Sequence, residues 1–356
     1  MESDKKNPPK SFMSQGTYGC VMYPRVKCSG KLANAQTTKK KELSKIVQKN
    51  KISENEINIG LKIKEIMKSK KGNMQNSLIG VYRHCDVKRE NIMKYKQCNI
   101  LKSSKKSNSK TAYQILYSQY IPSDNLRTYL YKNFTRNKFL KLYLFMIESI
   151  RLMLRNNIVH HDLTTYNMIV SKETNKQFHV IDFGLSFQIS DCFKMEHGTE
   201  VLNMSYLKLL FFKDTSFYFW CIEHQLLGFM VREDRLPNDS ELYGIINEYY
   251  SNKSNVLFQD DVLKEYIQHV YDYFHKTYVD SKIPHHEHIS DIIKHASKTW
   301  DLYSTTYILL RQLNKKSISR LGELPSFLKQ AIHYNYLKRP SVQDHQNMYY
   351  KIIDSM

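Results

Sequence analysis

Apolar positions in the first third of the chain tend to alternate, whereas those beyond about Pro122 tend to recur every three or four residues, so the period itself predicts two differently built parts. "FMSQGTYGCVMY" (12–23) sets Gly16 and Gly19 between residues of strand character and reads as a β-hairpin with a glycine-rich turn. In "ELSKIVQ" (42–48), Leu43, Lys45 and Val47 alternate with Ser44 and Ile46, as on a strand. "ISENEINIGLKIKEIM" (52–67) then spaces Ile57, Leu61 and Ile63 as a helix does, with Ser53 as its N-cap and Glu56 three residues on, as in a capping box. "TAYQILYSQYI" (111–121) is rich in β-formers and ends at Pro122. Beyond it, 125–130 predicts a short helix and 139–154 a long, largely buried one. Two short apolar runs, 158–159 and 168–170, flank a polar stretch, and "FHVIDFG" (178–184) supplies a further strand. The remainder reads as mostly helical, with a polar, Asn- and His-containing section at about 232–298 and no internal repeat. The class expected is α+β.

Composition narrows the setting. With 41% apolar and 12% aromatic residues, the 356-residue chain has ample material for a packed core. Its six cysteines form no C-x-x-C pair, and their irregular spacing suits neither a zinc knuckle nor a disulfide framework, so reduced thiols in a cytoplasmic setting are expected. The N-terminal stretch has lysines but no apolar core, and no run approaches the roughly 18 apolar residues of a membrane span. A soluble protein without membrane contact follows as the expectation. The net charge of +20 would attract polyanions or acidic protein surfaces. Without an interleaved basic and aromatic pattern, weak non-specific nucleic-acid binding is the most it predicts. Richness in Lys, Asn, Ile and Tyr also fits an AT-rich coding sequence, which accounts for part of the basicity.

"NNIVHHDLTTYNMIV" (156–170) carries the chemistry. Alone, an Asp162 and an Asn167 five residues apart make an ordinary polar turn. In context they follow a Gly-turn hairpin, a strand Lys and a helix Glu, and precede a strand ending in Asp182-Phe183-Gly184. Five elements in this order resemble the eukaryotic protein kinase family, a resemblance that runs from about Phe12 to about Ser341, and the wording "GTYGCVMYP" is most similar to serine/threonine kinases of large cytoplasmic DNA viruses. Further on, Glu223, Asp301 and Arg339 stand where that family closes its activation segment, begins its central helix and supplies a partner for the Glu.

The resemblance implies a two-lobed fold, with an N-terminal extension over 1–11, a mainly β N-lobe over 12–121, a mainly helical C-lobe over 122–356 containing the polar insertion, and ATP in the cleft between the lobes. It implies transfer of the ATP γ-phosphoryl group to Ser or Thr of protein substrates, in a host cytoplasm or virion if the chain is viral. ATP and Mg²⁺ are the implied cofactors. Ser14, Gln15, Gly16, Thr17, Tyr18, Gly19, Cys20 and Val21 would fold over the phosphates, and Gln119 would lie beside adenine. Lys45 would neutralise the α- and β-phosphates, held by Glu56; Asp182 and Asn167 would hold Mg²⁺; Asp162 would accept the substrate's proton. Lys39, Lys40 and Lys41 compete with Lys45, and Glu54 with Glu56. "PHHEH" (284–288) reads as solvated histidines rather than a zinc site.

Three departures bear on function: Ser14 in place of the loop's first glycine, Thr164 where serine/threonine kinases carry a Lys, and His161 where an Arg would bind a phosphorylated activation loop. They leave open a pseudokinase or scaffold, or a basic nucleic-acid-associated protein.

Overall fold

The computed structural model describes residues 12–16, 19–31, 41–103, 112–132, 135–172, 176–217, 219–251, 260–315 and 321–355. The extension at 1–11, Thr17, Tyr18, Lys39, Lys40 and most of the basic run at 102–110 lie outside them. Contacts divide the chain into two compact units, Met1–Asp124 with Ile169–Gly184 and Asn125–Met168 with Leu185–Met356.

The strands in chain order are β1 Phe12–Gly16, β2 Gly19–Met22, β3 Glu42–Gln48, β4 Leu78–Ile79, β5 Arg83–Val87, β6 Tyr113–Gln119, β7 Ser123–Asn125, β8 Ile158–Val159, β9 Met168–Ser171, β10 Phe178–Ile181, β11 Phe187–Gln188, β12 Phe193–Glu196 and β13 Thr199–Leu202. The first unit is built on a five-stranded sheet in the order β1-β2-β3-β6-β5, all neighbours antiparallel. The period of two in β3 does what the pattern predicts. Ile46 joins Cys20, Met22, Ile115 and Tyr117 in a core on one face, while Val47 packs with Ile57, Val81 and Leu116 on the other.

The helix Lys51–Lys68 covers this second face. Its cap differs from the expectation: Asn50, not Ser53, is the N-cap, and Ser53 is the third helical residue, closing the capping box with Asn50 through bonds of 3.0 Å each way. Gly60 fixes the helix's distance, since a Cβ there would come within 2.6 Å of the Val81 backbone.

The cysteine expectation is corrected here. Cys20 is bonded to Cys98 and Cys28 to Cys85, with Cα atoms 5.6 and 6.0 Å apart, while Cys192 and Cys221 are free and buried. The partners are 78 and 57 residues apart in sequence and meet only because the sheet brings their strands and loops together, which cysteine spacing cannot reveal.

In the second unit, the helix Arg136–Arg155 buries a stripe from Phe139 to Met153. The section expected to be polar, 232–298, is largely helical among the described residues: Asp239–Ser251, Asp260–Phe274 and His285–Lys294 contribute Tyr249, Ile267, Val270 and Ile292 to the unit's large core. Asn247, His269 and His286 are exposed on these helices, whereas His288 is buried against Tyr278. His285 faces Asp234 and His288 faces Ser281. Among the described residues no helix is long and apolar enough to cross a membrane.

Candidate active site

In the first unit, the middle of β3 and the end of β10 meet at one group of charges. Lys45 stands opposite Val21 on β2 and Leu116 on β6, so its side chain leaves the sheet on the helix-covered face. Its Nζ donates to Glu56 Oε1 at 2.9 Å, Glu56 Oε2 at 3.1 Å and Asp182 Oδ1 at 2.9 Å. Glu56 reaches it from the second turn of the helix, and Asp182 from the residue after β10. The side chains of Lys45 and Glu56 are 12% and 6% exposed, whereas Asp182 is 43% exposed and offers a carboxylate edge to solvent. Burial works against the Lys45 charge, but Asp182 and Glu56 outweigh it and hold the ammonium's pKa well above the ordinary value. Glu56 is pushed up, chiefly by burial and further by the Asp182 charge, against the pull of Lys45. Of the sequence competitors, Glu54 is exposed on the helix's first turn and Lys41 lies just before β3.

The hairpin before this group pairs Ser14 with Val21, Gln15 with Cys20 and Gly16 with Gly19. Ser14 and Gly16 are exposed, Gln15 and Val21 half-buried. A Cβ on Gly19 would sit 2.6 Å from the Ile46 carbonyl, so glycine is required for β2 to lie against β3. Cys20 is buried, and its side chain points into the core toward Cys98, away from the Lys45 face, which leaves only its backbone for a ligand. Gln15 accepts from the Asn99 backbone N–H at 3.0 Å, so the hairpin is tethered twice to residues 98–99. Gln119, exposed at the end of β6 opposite Glu42, lines a 660 Å³ cavity together with Tyr82, Tyr120, Pro122 and His179.

In the second unit, the loop between β8 and β9 holds the other predicted pair. The Asn167 side-chain amide donates to the Asp162 carbonyl at 2.9 Å and to Asp162 Oδ2 at 2.7 Å. Thr164 N–H donates to the Asp162 carbonyl at 2.9 Å and Asn167 N–H to the Thr164 carbonyl at 3.2 Å, winding the loop tightly. The base of the loop hangs from Asp301, whose carboxylate accepts from His160 N–H at 2.7 Å and His161 N–H at 2.9 Å. Burial raises the Asp301 pKa to about 6 despite these two donors. Both His161 and Asp182 have positive φ, 69° and 62°, conformations that non-glycine residues keep only where surroundings impose them.

His161 is enclosed. Its ring stacks on Trp220 at 5.0 Å and contacts Phe187, Phe211, His224 and Trp300. Its Nδ1–H donates to the Leu185 carbonyl at 3.3 Å, and Trp220 Nε1 donates to the His161 carbonyl at 2.7 Å. Burial pushes the imidazole down to about 3, so it is neutral. Elsewhere in this unit Arg339 grips Glu223 with both terminal nitrogens, each side chain 1% exposed, and Trp300 donates to the same carboxylate at 3.2 Å.

Sequence reading missed the enclosure of His161, because Trp220 and His224 lie about 60 residues away and carry no motif of their own. It missed the role of Gly60, although a glycine inside a helical pattern signals close packing. Geometry thus brings Lys45, Glu56 and Asp182 together in one unit and Asp162 and Asn167 in the other. A family model described as protein tyrosine and serine/threonine kinase matches residues 13–218. No curated protein matches the chain.

Proposed function

The chain belongs to the protein tyrosine and serine/threonine kinase family, and from that premise we propose that it is a catalytically active, Mg²⁺-dependent enzyme that phosphorylates Ser or Thr of proteins with ATP, its N-lobe spanning 12–121 and its C-lobe 122–356. One observation carries the reading: a lysine buried on its strand, clamped by a helix glutamate and shared with a half-exposed aspartate. A scaffold has no need to keep an ammonium charged beside two carboxylates, at the desolvation cost of burying them.

The residues fit Mg²⁺·ATP. Mg²⁺ keeps much of its hydration and takes one or two protein oxygens besides phosphate. The exposed edge of Asp182 is one such oxygen. Asn167 directs its amide hydrogens to Asp162, so its side-chain oxygen is the atom left to hold a cation. Bound Mg²⁺ would neutralise phosphate charge as the phosphoryl group leaves. Lys45 then orients the α- and β-phosphates, and Glu56 prevents the ammonium from turning away. Gly16 and the backbone from Gly19 to Val21 approach the phosphates without side-chain hindrance. Asp162, fixed by the Asn167 amide, accepts the proton of the acceptor hydroxyl. The loop Thr164-Thr165-Tyr166 carries neither the Lys of serine/threonine kinases nor the Arg of the tyrosine-specific branch, so the choice of Ser or Thr rests on the wider resemblance and not on this loop.

The departures at Ser14 and Thr164 favour the second reading, a pseudokinase. Thermal melting with and without Mg²⁺·ATP, followed by phosphoamino-acid analysis of a phosphorylated protein mixture, separates the two. Nucleotide at 100 times its Kd stabilises by about 2.7 kcal/mol. A raised Tm together with phosphoserine or phosphothreonine supports the enzyme; an unchanged Tm and no labelled residue support the scaffold.

A further inference from the structure

Two large aromatic side chains near the catalytic loop are exposed, Tyr166 at 54% and Tyr131 at 64%, and one guanidinium joins them. Arg127 donates to the Tyr166 hydroxyl, and its Cζ lies 5.6 Å from the Tyr166 ring centroid. Hydrogen bonds to Tyr166 and then to Tyr131 keep its charge in place. Its backbone N–H donates to the Thr165 carbonyl at 3.3 Å, so the short helix Leu126–Tyr131 is bound directly to the loop that carries Asp162. Among the described residues the polar partners of the guanidinium are phenols, not carboxylates, so its charge is un-neutralised and open to solvent. After Asp124, which pairs with Lys172, the sequence carries five basic side chains, Arg127, Lys132, Arg136, Lys138 and Lys141, before the next acidic one, Glu148.

We infer that Arg127, framed by Tyr166 and Tyr131, selects protein substrates bearing an anionic side chain, a carboxylate or a phosphorylated residue, within about four positions of the acceptor hydroxyl. The inference rests on the kinase reading above and adds the substrate class. The reach follows from chain dimensions. Asp162 and Tyr166 are four residues apart, so their Cα atoms are separated by at most about 14 Å, the span of about four residues of extended peptide. A pair of phenols holds the guanidinium in one orientation without neutralising it, and so lowers the ordering cost when an anion forms its forked hydrogen bonds. A basic side chain at the same place meets the like charge of Arg127.

The test uses the full chain and four peptides with one central serine, flanked on either side by Glu, by phosphoserine, by Ala or by Lys. Steady-state kcat/KM is measured for transfer, and fluorescence anisotropy for binding without ATP, in wild type, Arg127→Lys and Arg127→Glu. One exposed ion pair is worth up to about a fivefold preference. Wild type is therefore expected to favour the Glu and phosphoserine peptides over Ala by about two- to fivefold, mainly through KM. Arg127→Lys should retain most of the preference, and Arg127→Glu should invert it toward the Lys peptide. Matching melting curves for the three proteins would exclude misfolding; a variant that melts early is replaced by Arg127→Gln, which should abolish the preference without inverting it. Transfer to all four peptides at similar rates, or a preference that the Arg127 variants do not move, overturns the inference while the kinase reading stands. Anisotropy that shows the Arg127-dependent preference without any transfer supports the anionic surface and removes the kinase reading. A single-stranded oligonucleotide that binds through Arg127 where no peptide does would overturn the inference in favour of nucleic acid.

Discussion

Replacing His161 with Arg puts a permanent cation into a site built for a neutral ring. The drop in the imidazole pKa from 6.5 to about 3 corresponds to about 5 kcal/mol against charging the ring in place. A guanidinium stacked on Trp220, 5.0 Å away, would recover about 2 kcal/mol through its contact with the aromatic face. About 3 kcal/mol of destabilisation remains, which for a unit of this size lowers Tm by about 6 to 12 °C. The functional consequence is as specific. A neutral, enclosed His161 has no charge to be balanced by a phosphate on the activation segment, so that segment needs no phosphorylation through this position. Phosphatase-treated wild type is expected to keep most of its phosphoryl-transfer rate, and His161→Arg not to exceed it. Melting curves and initial rates before and after dephosphorylation, at pH 6 and pH 8, make the comparison. An unchanged Tm in His161→Arg, or a wild type that loses most of its rate on dephosphorylation at both pH values, would refute the reasoning.

The other expectations concern stability. Burial lowers His161 to about 3, His345 to about 4 and His224 well below its ordinary value. Unfolded chains therefore bind protons that the fold refuses at these three sites, with His288 and His333 shifted in the same sense, and stability falls as pH drops below 6.5; Asp301, raised to about 6, and the raised Glu56 and Glu148 work in the opposite direction. The fully buried histidines set the sign, so urea midpoints should fall from pH 6.5 toward pH 4, and His224→Phe should flatten the fall. Glu223→Ala leaves the Arg339 cation buried and alone and should cost about 3 to 5 kcal/mol, whereas Glu65→Ala, at an exposed pair with Lys68, should change the urea midpoint by less than about 0.5 kcal/mol. Reducing the two disulfides opens loops of 78 and 57 residues, each worth about 4 kcal/mol. Thiol titration of denatured, unreduced protein should find the two thiols of Cys192 and Cys221, and six would contradict the pairing.

Much of the site was legible because its residues are bound to local pattern. Lys45 shows in the alternation of β3, Asp182 in the strand that precedes it, and Asp162 with Asn167 in a spacing that one tight loop imposes. The helix was legible too, though its cap was misread by three residues: Asn50 and Ser53 both suit a cap, and only the backbone distinguishes them. What stayed hidden depends on distant partners. The disulfides join residues of unrelated spacing, and His161 receives its character from Trp220, His224 and Trp300. The helices of 232–298 were obscured because polar His, Asn and Glu are interleaved with the apolar stripe to which Tyr249, Ile267 and Ile292 belong. Sequence carried the chemistry of the lysine cluster, and folding decided the charge state of the histidine.

Transfer of label from γ-labelled ATP to a protein substrate, compared between wild type, Lys45→Met, Asp162→Ala and Asp182→Ala at matched melting temperature, tests the central claim most directly. Catalysis by position and charge predicts incorporation by wild type, dependent on Mg²⁺, and losses of at least about a thousandfold in each variant. Incorporation that continues unchanged in Asp162→Ala or Asp182→Ala, or none by wild type with Mg²⁺ present, would contradict it.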